Sequence, residues 1–330
     1  MSLDLRTGTA DPLWVPILTH YMPDSGIDAQ RMLAHWNSLI PHVRQVMLAG
    51  STGDGWELDD ARFDALIDLG DSPDLPEGAA LLFGILRPTT DEVIARLEHL
   101  EDRLEAHPRL KSRLRGVAIC PPVDANADQD QIRKHFEDAF AASTLPVAVY
   151  QLPQVTQCAI APDTMAALAT SPRVTMFKDS SGEDVVAKDR DGYDGVVMVR
   201  GAEGGYLEAL KPAGPYHGWL LSTGNALATP LRRVLDLNES GDGEAAAKLS
   251  GALSEVVEKV FAAAANEGGA NAFSNANRAM DHLRAYGKGW RSAPLAFKVD
   301  GSELSADLVA EVESHAASLL EIGDTGYLHS

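Results

Sequence analysis

Eight short apolar runs recur through the first two thirds of this sequence, and most of them are followed by a helical pattern. The runs lie at residues 14–19, 46–50, 81–86, 116–120, 146–150, 174–178, 195–201 and 217–222. Segments with the apolar spacing of a helix lie at residues 27–40, 58–69, 89–104, 130–142, 163–170 and 206–211. Short apolar runs of this kind are typical of buried strands. The alternation predicts an α/β fold, a closed parallel (β/α)8 TIM barrel rather than an open sheet.

The apolar runs stop before residue 227, and only helical patterns follow. These patterns lie at residues 231–237, 243–265, 275–286 and 306–320. We therefore expect two parts, a (β/α)8 barrel in residues 1–240 and a C-terminal helical extension, packed on the barrel, in residues 241–330.

The charge balance argues against polyanionic partners. The 330 residues include 48 acidic and 28 basic side chains, which gives a net charge of −20. Such a field repels nucleic acid and anionic membrane surfaces, so we expect neither as a partner, although a small anionic substrate is compatible with it. No run has the length of a membrane span and no signal peptide precedes the first apolar run, so we expect a cytoplasmic protein.

Neither a metal nor a cofactor is indicated. Cys120 and Cys158 are too few for a disulfide framework or a zinc ribbon, and ten histidines are scattered without ligand spacing. Residues 124–130 imitate the start of a calcium loop, but the sixth-position glycine is missing and His135 stands where the bidentate glutamate belongs. Residues 201–205 lack the glycine spacing of a dinucleotide-binding loop.

Lys178 stands at the end of the apolar run 174–178, immediately before a polar turn. Burial would disfavour its ammonium form and lower the pKa of the amine, which would make Lys178 a nucleophile towards carbonyl compounds. A lysine at a strand end can also extend its ammonium group into solvent, and the run alone does not decide between the two interpretations.

Other small or polar residues follow strand ends, which is where the active site of a (β/α)8 barrel lies. They are Ser51, Thr52 and Gly53 after the second run, Tyr150 at the fifth, Gly201 at the seventh and Ser222 at the eighth. Hydroxyls flanked by glycines suit a carboxylate, and a tyrosine can relay protons to an amine or a substrate oxygen. Taken alone, residues 50–53 also fit a turn with a helix cap, and Tyr150 also fits a core aromatic.

Three segments together resemble the dihydrodipicolinate synthase / N-acetylneuraminate lyase family of Schiff-base class I aldolases. Residues 50–54 (GSTGD) are similar to the family's G-[ST]-T-G-E loop, residues 150–153 (YQLP) to its Y-N-x-P segment, and residues 177–183 (FKDSSGE) to its x-K-[DE]-x-S-G-[DE] segment. They occur in the family's order, and the similarity extends from about residue 15 to residue 322. The resemblance implies a homo-oligomer, either a tetramer or a dimer.

The resemblance also implies a role for each candidate residue. Lys178 would form an imine with the keto carbon of pyruvate or another 2-oxo acid, and Tyr150 would carry protons during imine formation and C–C bond making or breaking. Ser51 and Thr52 would hold the substrate carboxylate, and Thr52 would also position the tyrosine hydroxyl. The other substrate-binding residues would be Gly53, Gly201 and Ser222. A protonated imine is an electron sink for the carbanion that aldol chemistry creates.

Four positions depart from the family pattern. Val155 replaces an arginine that grips the carboxylate of the second substrate, and Val123 lies where a P-Y-Y-N segment carries a tyrosine into a neighbouring subunit's site. Gln151 replaces the usual asparagine and Asp54 the usual glutamate. We therefore expect a Schiff-base lyase or aldolase that acts on pyruvate or another 2-oxo acid but is not an authentic dihydrodipicolinate synthase. An aldehyde is one candidate for its second substrate.

Three alternative functions stay open. A 2-keto sugar-acid dehydratase of the same family would use the same imine to acidify the α carbon before water leaves. A non-catalytic barrel that binds a metabolite would explain the lost arginine and tyrosine, but it would not need a buried amine beside a phenol. A phosphate-binding barrel enzyme would need a Gly-rich loop after strands seven and eight, where Gly224 offers little support.

Overall fold

Eight parallel strands form a closed barrel in the computed structural model, which describes residues 11–190 and 192–329. The strands are β1 Leu13–Pro16, β2 Gln45–Leu48, β3 Ala80–Gly84, β4 Leu114–Ile119, β5 Val147–Gln151, β6 Val174–Asp179, β7 Val197–Arg200 and β8 Gly218–Leu220. Each strand pairs with its neighbour in sequence, and β8 closes the barrel on β1. Every strand overlaps one predicted apolar run, so the predicted TIM barrel is confirmed. Residues 1–10, where the predicted barrel region 1–240 begins, lie outside the described residues.

The strands are buried on both of their faces. Alternate residues fill the barrel interior, among them Trp14, Met47, Leu82, Met176 and Leu220. The residues between them pack against the surrounding helices, as Val15, Val46, Leu81, Phe177 and Leu221 do. This burial on two faces explains why the strands appear in the sequence as continuous apolar runs rather than as alternating patterns.

Helices surround the barrel between successive strands. In chain order they are α1 Ala29–Leu39, α2 Asp60–Asp71, α3 Thr90–Leu104, α4 Pro108–Arg113, α5 Gln129–Ala142, α6 Pro153–Thr156, α7 Pro162–Ala169, α8 Val185–Asp189, α9 Tyr206–Ala209 and α10 Gly224–Glu239. Side chains of Asp28, Asp59, Thr89 and Asp128 cap the first turns of α1, α2, α3 and α5 by accepting a backbone N–H. The sequence analysis does not predict the short helices α4, α6 and α8, whereas the equally short α9 lies within the predicted segment 206–211.

The eighth barrel helix, α10, begins at Gly224 rather than at residue 231. The backbone at Leu227 is not helical, with φ −107° and ψ 27°, and Pro230 lies inside the helix. A proline inside a helix removes a backbone hydrogen bond and interrupts the pattern on which the prediction depends. The prediction therefore found only the regular part of this helix.

Three long helices form the C-terminal extension, α11 Gly243–Ala263, α12 Ala272–Tyr286 and α13 Ala306–Leu320. α12 packs against α10, α11, α13 and the turn after β2. It is buried on almost all sides, including the polar side chains Asn275, Asn277, Arg278 and Asp281. An amphipathic sequence predicts a helix with one solvated face, so this burial is not visible in the sequence. None of the helices within residues 11–190 and 192–329 combines the length and apolar character needed to cross a membrane.

Candidate active site

Most of the residues predicted at strand ends line one cleft, at the carboxyl edge of the barrel. The cleft has a volume of about 280 Å³. The predicted residues that line it are Ser51, Thr52, Tyr150, Lys178, Gly201 and Ser222. The sequence did not predict the lining residues Leu152, Gln154, Ser180, Glu203, Phe261, Asn271 and Phe273.

Lys178 is buried next to Tyr150. The register of β5 and β6 pairs the two residues directly, since both lie near the carboxyl ends of adjacent strands. The lysine is 3% exposed, and its Nζ atom lies 3.9 Å from the centroid of the Tyr150 ring. Burial lowers the pKa of the amine to about 7, although the negative charge of Glu203 acts in the opposite direction. The structure therefore buries Lys178 rather than exposing its ammonium group to solvent.

Tyr150 is a protonated phenol at neutral pH. It is 2% exposed, and burial raises the pKa of its hydroxyl well above the ordinary value. A hydrogen bond with the side chain of Ser180 acts in the opposite direction. Ser180 is thus one partner of the Tyr150 hydroxyl, and the positioning of that hydroxyl by Thr52 stays a prediction. Ser180 is therefore a polar neighbour of Tyr150 that also lines the cleft.

The turn after β2 places two residues that carry hydroxyls on the lining of the cleft. Residues Ser51–Gly53 form one turn of 3-10 helix, in which the Gly53 N–H donates to the Gly50 carbonyl at 3.0 Å. Ser51 and Thr52 line the cleft, whereas Gly53 lies behind them. A Cβ atom on Gly53 would lie 2.7 Å from the Ile17 carbonyl oxygen, so the close approach to β1 requires glycine. Its N–H is engaged in the turn, and the predicted place of Gly53 in the substrate-binding set stays a prediction.

Helix α12 of the extension holds this turn from the other side. Asn271 Nδ2 donates to the Ser51 carbonyl at 3.0 Å, and Ser274 Oγ donates to the Thr52 carbonyl at 2.9 Å. The C-terminal extension is therefore part of the site, because it fixes the backbone that presents the two hydroxyls. No local pattern near Asn271 indicates this role.

A buried ion pair lies behind the same turn. Asp54 and Arg278 are both fully buried and form an ion pair, and Tyr21 OH donates to Asp54 Oδ2 at 2.9 Å. Arg278 also donates to the Thr19 carbonyl at 3.2 Å. Asp54 is the residue that replaces the family's glutamate, and its backbone has φ 57°, in the left-handed region. Two opposite charges buried together stabilise the turn only while both are present.

Gly201 makes room for Lys178. A Cβ atom at this position would lie 2.7 Å from Lys178 Cε and 2.1 Å from Ser180 Oγ. A larger residue would displace the amine, so the backbone of Gly201 forms one wall of the cleft. Its predicted place in the substrate-binding set stays a prediction.

Glu203 is an ionisable residue of the cleft that sequence reasoning missed. Its Oε1 accepts hydrogen bonds from Ser222 Oγ at 2.7 Å and the Thr223 N–H at 3.0 Å. Its Oε2 accepts from Thr223 Oγ1 at 2.7 Å and Tyr206 OH at 3.0 Å. Four donors use the acceptor capacity of one carboxylate, which holds the Glu203 side chain in one position. The Ser222 hydroxyl donates its proton to Glu203, so it can only accept a hydrogen bond from a substrate.

The two positions that lost family residues do not line the cleft. Val155 lies in α6 and packs against the core of the barrel. Val123 lies in the loop after β4, where its N–H donates to the Pro88 carbonyl at 2.9 Å. Among the described residues that line the cleft, Lys178 is the only basic one, so no other cation takes the place of the missing arginine.

A second polar cluster contains His20, His35 and Asp281, whose possible ligand atoms lie within 4.8 Å of one another. His35 Nδ1 lies 3.0 Å from His20 Nε2, and His35 Nε2 lies 2.9 Å from the Asn225 carbonyl oxygen. Arg31 donates to Asp281 at 2.6 Å and brings positive charge. Burial lowers the pKa of both histidines, which keeps them neutral. These bonds favour a hydrogen-bonded cluster over a cation site.

Imine formation is expected to become faster as the pH rises through about 7, because the neutral amine of Lys178 attacks a carbonyl and the ammonium does not. Below that pKa, the rate should fall about tenfold for each pH unit, and above it the rate should level off. The measurement mixes protein and pyruvate at each pH, then quenches into borohydride at one fixed pH. A midpoint near the ordinary lysine pKa of about 10.4 would contradict this expectation.

This chain is similar in sequence and in structure to known proteins. A model of the dihydrodipicolinate synthetase family matches residues 110–275. The 4-hydroxy-tetrahydrodipicolinate synthase of Xanthomonas campestris is 27% identical over 246 residues, which cover 72% of this chain and 76% of that protein.

Two solved structures show the same fold. YagE of E. coli K12, a prophage protein of the dihydrodipicolinic acid synthase family in complex with pyruvate, has a TM-score of 0.74 at 17% identity and covers 94% of this chain and 98% of its own. A Sulfolobus 2-keto-3-deoxygluconate aldolase in complex with D-KDPG has a TM-score of 0.73 at 17% identity and covers 96% of this chain and 99% of its own.

Proposed function

The chain belongs to the dihydrodipicolinate synthetase family, and from this premise we propose that it is a lyase that binds 2-oxo acids to Lys178 through an imine. The observation that carries the proposal is the buried amine of Lys178, whose pKa is about 7, against the ring of Tyr150. An amine in this state is nucleophilic at neutral pH. The hydroxyls of Ser51 and Thr52 line the same cleft and suit the carboxylate of a 2-oxo acid.

In the proposed reaction, the neutral amine of Lys178 attacks the keto carbon of the 2-oxo acid and forms a carbinolamine. Tyr150 is protonated at neutral pH and donates a proton to the oxygen that leaves as water. Its bond with Ser180 supplies a route by which the phenol regains a proton. The product of this step is a protonated imine between Lys178 and the substrate.

The protonated imine then accepts the electron pair released when a bond to C3, either C3–H or C3–C4, is broken. Loss of a proton from C3 gives an enamine, which can add to an aldehyde, and the reverse direction cleaves the C3–C4 bond. If the enamine instead loses a hydroxyl group from the substrate, water is eliminated, which is the reaction of a dehydratase. Both reactions use the same lysine, so they differ in product and not in the imine. Water finally hydrolyses the imine and frees the amine of Lys178.

A non-catalytic metabolite-binding barrel is the less favoured alternative. A protein that only binds would gain nothing from an amine held neutral by burial, since an ordinary ammonium attracts a carboxylate more strongly. The depressed pKa of Lys178 therefore supports an enzyme over a binding protein. The homo-oligomer, the cytoplasmic location and the aldehyde as second substrate stay predictions.

Borohydride trapping tests the proposed function. The protein is incubated with pyruvate, reduced, and examined by intact mass and by peptide mapping. A reduced adduct on Lys178 is the expected result. An adduct that forms only with a longer 2-oxo acid would indicate a sugar acid as the substrate. If no 2-oxo acid forms an adduct, the non-catalytic binding protein is favoured.

Replacing Tyr150 by phenylalanine is expected to slow imine formation by about a hundredfold to ten-thousandfold, because a positioned proton donor is lost. Pyruvate binding should stay measurable, since the hydroxyls of Ser51 and Thr52 are kept. The rate of adduct formation and the affinity for pyruvate are measured separately. Tyr193→Phe is the matched control, because the Tyr193 hydroxyl makes long, 3.4 Å contacts with two backbone carbonyls and Tyr193 does not line the cleft. An equal effect of the two changes would argue against a proton-transfer role.

A further inference from the structure

Two phenylalanines of the extension form the mouth of the cleft. Phe261 of α11 and Phe273 of α12 pack edge to face, with their ring centroids 4.8 Å apart at 74°. Both line the cleft together with Leu152, and Phe273 is 50% exposed. Two aromatic rings held at a cleft, one of them half exposed, form a surface that an apolar ligand group covers favourably.

The charges of the cleft do not suit a second carboxylate on the substrate. Lys178 is the only basic residue among the described lining residues, and imine formation uses it. Glu203 adds a carboxylate to the same lining, held in place by its hydrogen bonds. An anionic group beyond C3 would therefore find no cation and would be repelled.

The polar groups of the cleft are largely occupied by bonds within the protein. Gln154 Nε2 donates to the carbonyls of Ser180 and Ser181, and Asn271 Nδ2 donates to the carbonyl of Ser51. Ser222 and all the acceptor sites of Glu203 are engaged with each other or with neighbouring residues. A chain with several hydroxyls would bury them with few free partners, which is costly.

We propose that the second substrate is an uncharged aromatic aldehyde, whose ring packs on Phe261 and Phe273. This inference rests on the proposed imine chemistry of Lys178. In the reaction, C3 of the pyruvate enamine forms a bond to the aldehyde carbon, and the aldehyde oxygen takes up a proton. Water then hydrolyses the imine and releases a 4-aryl-4-hydroxy-2-oxo acid. The reverse reaction cleaves that acid to pyruvate and the aldehyde, and neither direction needs an oxidant or a reductant.

The first experiment compares aldehydes with the wild-type protein and pyruvate. Benzaldehyde represents the aromatic class, D-glyceraldehyde the hydroxylated class and succinic semialdehyde the carboxylate-bearing class. We expect kcat/KM for benzaldehyde to exceed that for either of the others by about tenfold or more. A preference for D-glyceraldehyde or succinic semialdehyde would overturn the inference.

The second experiment tests whether the preference for benzaldehyde depends on the ring of Phe273. Phe273→Ala is expected to lower the ratio of kcat/KM for benzaldehyde to that for D-glyceraldehyde by about threefold to tenfold. Val185→Ala is the matched control, because Val185 is also 50% exposed and does not line the cleft. An unchanged ratio in Phe273→Ala would overturn the inference.

Borohydride trapping with pyruvate tests the proposed imine chemistry separately from the proposed aromatic substrate. A wild-type adduct on Lys178 without a preference for benzaldehyde rejects the aromatic partner and keeps the proposed function. No adduct with any 2-oxo acid rejects both.

Discussion

Replacing Lys178 by methionine is expected to abolish the trapped pyruvate adduct and to lower turnover at least about a thousandfold, because none of the other described residues that line the cleft supplies an amine. Methionine keeps an unbranched side chain in the buried position. The change also removes a buried amine whose charged form is disfavoured there, so Lys178→Met is expected to be at least as stable as the wild type. The measurements are adduct mass, turnover and thermal unfolding.

The stability effect has a pH dependence with a definite sign. Burial lowers the pKa of Lys178 to about 7 in the folded state, below the value of about 10.4 for an unfolded lysine. The native amine therefore costs stability below the unfolded pKa, and the full cost is reached below about pH 7. The gain from Lys178→Met should be largest at low pH and should vanish above the unfolded pKa.

Lys188→Met is the control for the lysine experiment. Lys188 is 61% exposed, follows the same strand, and does not line the cleft. Its variant should form the pyruvate adduct like the wild type. A Lys178→Met protein that still forms an adduct or turns over would show that the imine is made elsewhere.

Replacing Arg278 by methionine is expected to destabilise the protein by about 3–5 kcal/mol, because it leaves Asp54 buried without its partner. The measurement is the free energy of unfolding in urea. Turnover should fall as well at temperatures where the protein is folded, since Asp54 ends the turn that presents Ser51 and Thr52. Those two effects together would identify the ion pair as the support of the turn.

A double variant, Asp54→Asn with Arg278→Met, separates the unpaired charge from lost packing. Asparagine tolerates the left-handed backbone of residue 54, at φ 57°, and carries no charge. The double variant should therefore be more stable than Arg278→Met alone. If Arg278→Met costs less than about 1 kcal/mol, or the double variant is the less stable one, the buried pair does not support the turn.

The barrel and the pairing of Lys178 with Tyr150 follow from local sequence patterns. Each strand is buried on both faces, so each one gives a short apolar run in the sequence. In a parallel barrel all strands end at the same edge, and sequence neighbours are spatial neighbours. The ends of the fifth and sixth runs therefore had to lie side by side, as the register of β5 and β6 shows.

The support of the turn by α12 follows from no local pattern. Asn271 reaches the Ser51 carbonyl across 220 positions of sequence, and Arg278 reaches Asp54 across 224. Such contacts depend on how the extension packs, and an amphipathic period does not encode that. The sequence analysis missed Glu203 for a related reason. Its four hydrogen-bond donors belong to Tyr206, at the start of α9, and to Ser222 and Thr223, which follow β8. For Gly53 the motif does not distinguish a substrate contact from a tight turn, and the structure places this residue behind the residues that line the cleft.

The bonds from α12 to the turn after β2 have a consequence for synthesis on the ribosome. A nascent chain that has emerged through β8 contains every strand, Lys178 and Tyr150, and domains generally begin to fold during synthesis. It lacks Asn271, Ser274 and Arg278, so the loop that carries Ser51 and Thr52 is without the bonds that α12 makes to it. A reactive amine without an ordered carboxylate site is a poor catalyst. The proposed activity is therefore expected only after α12 has been synthesised, and a chain that ends before α12 is expected to be inactive.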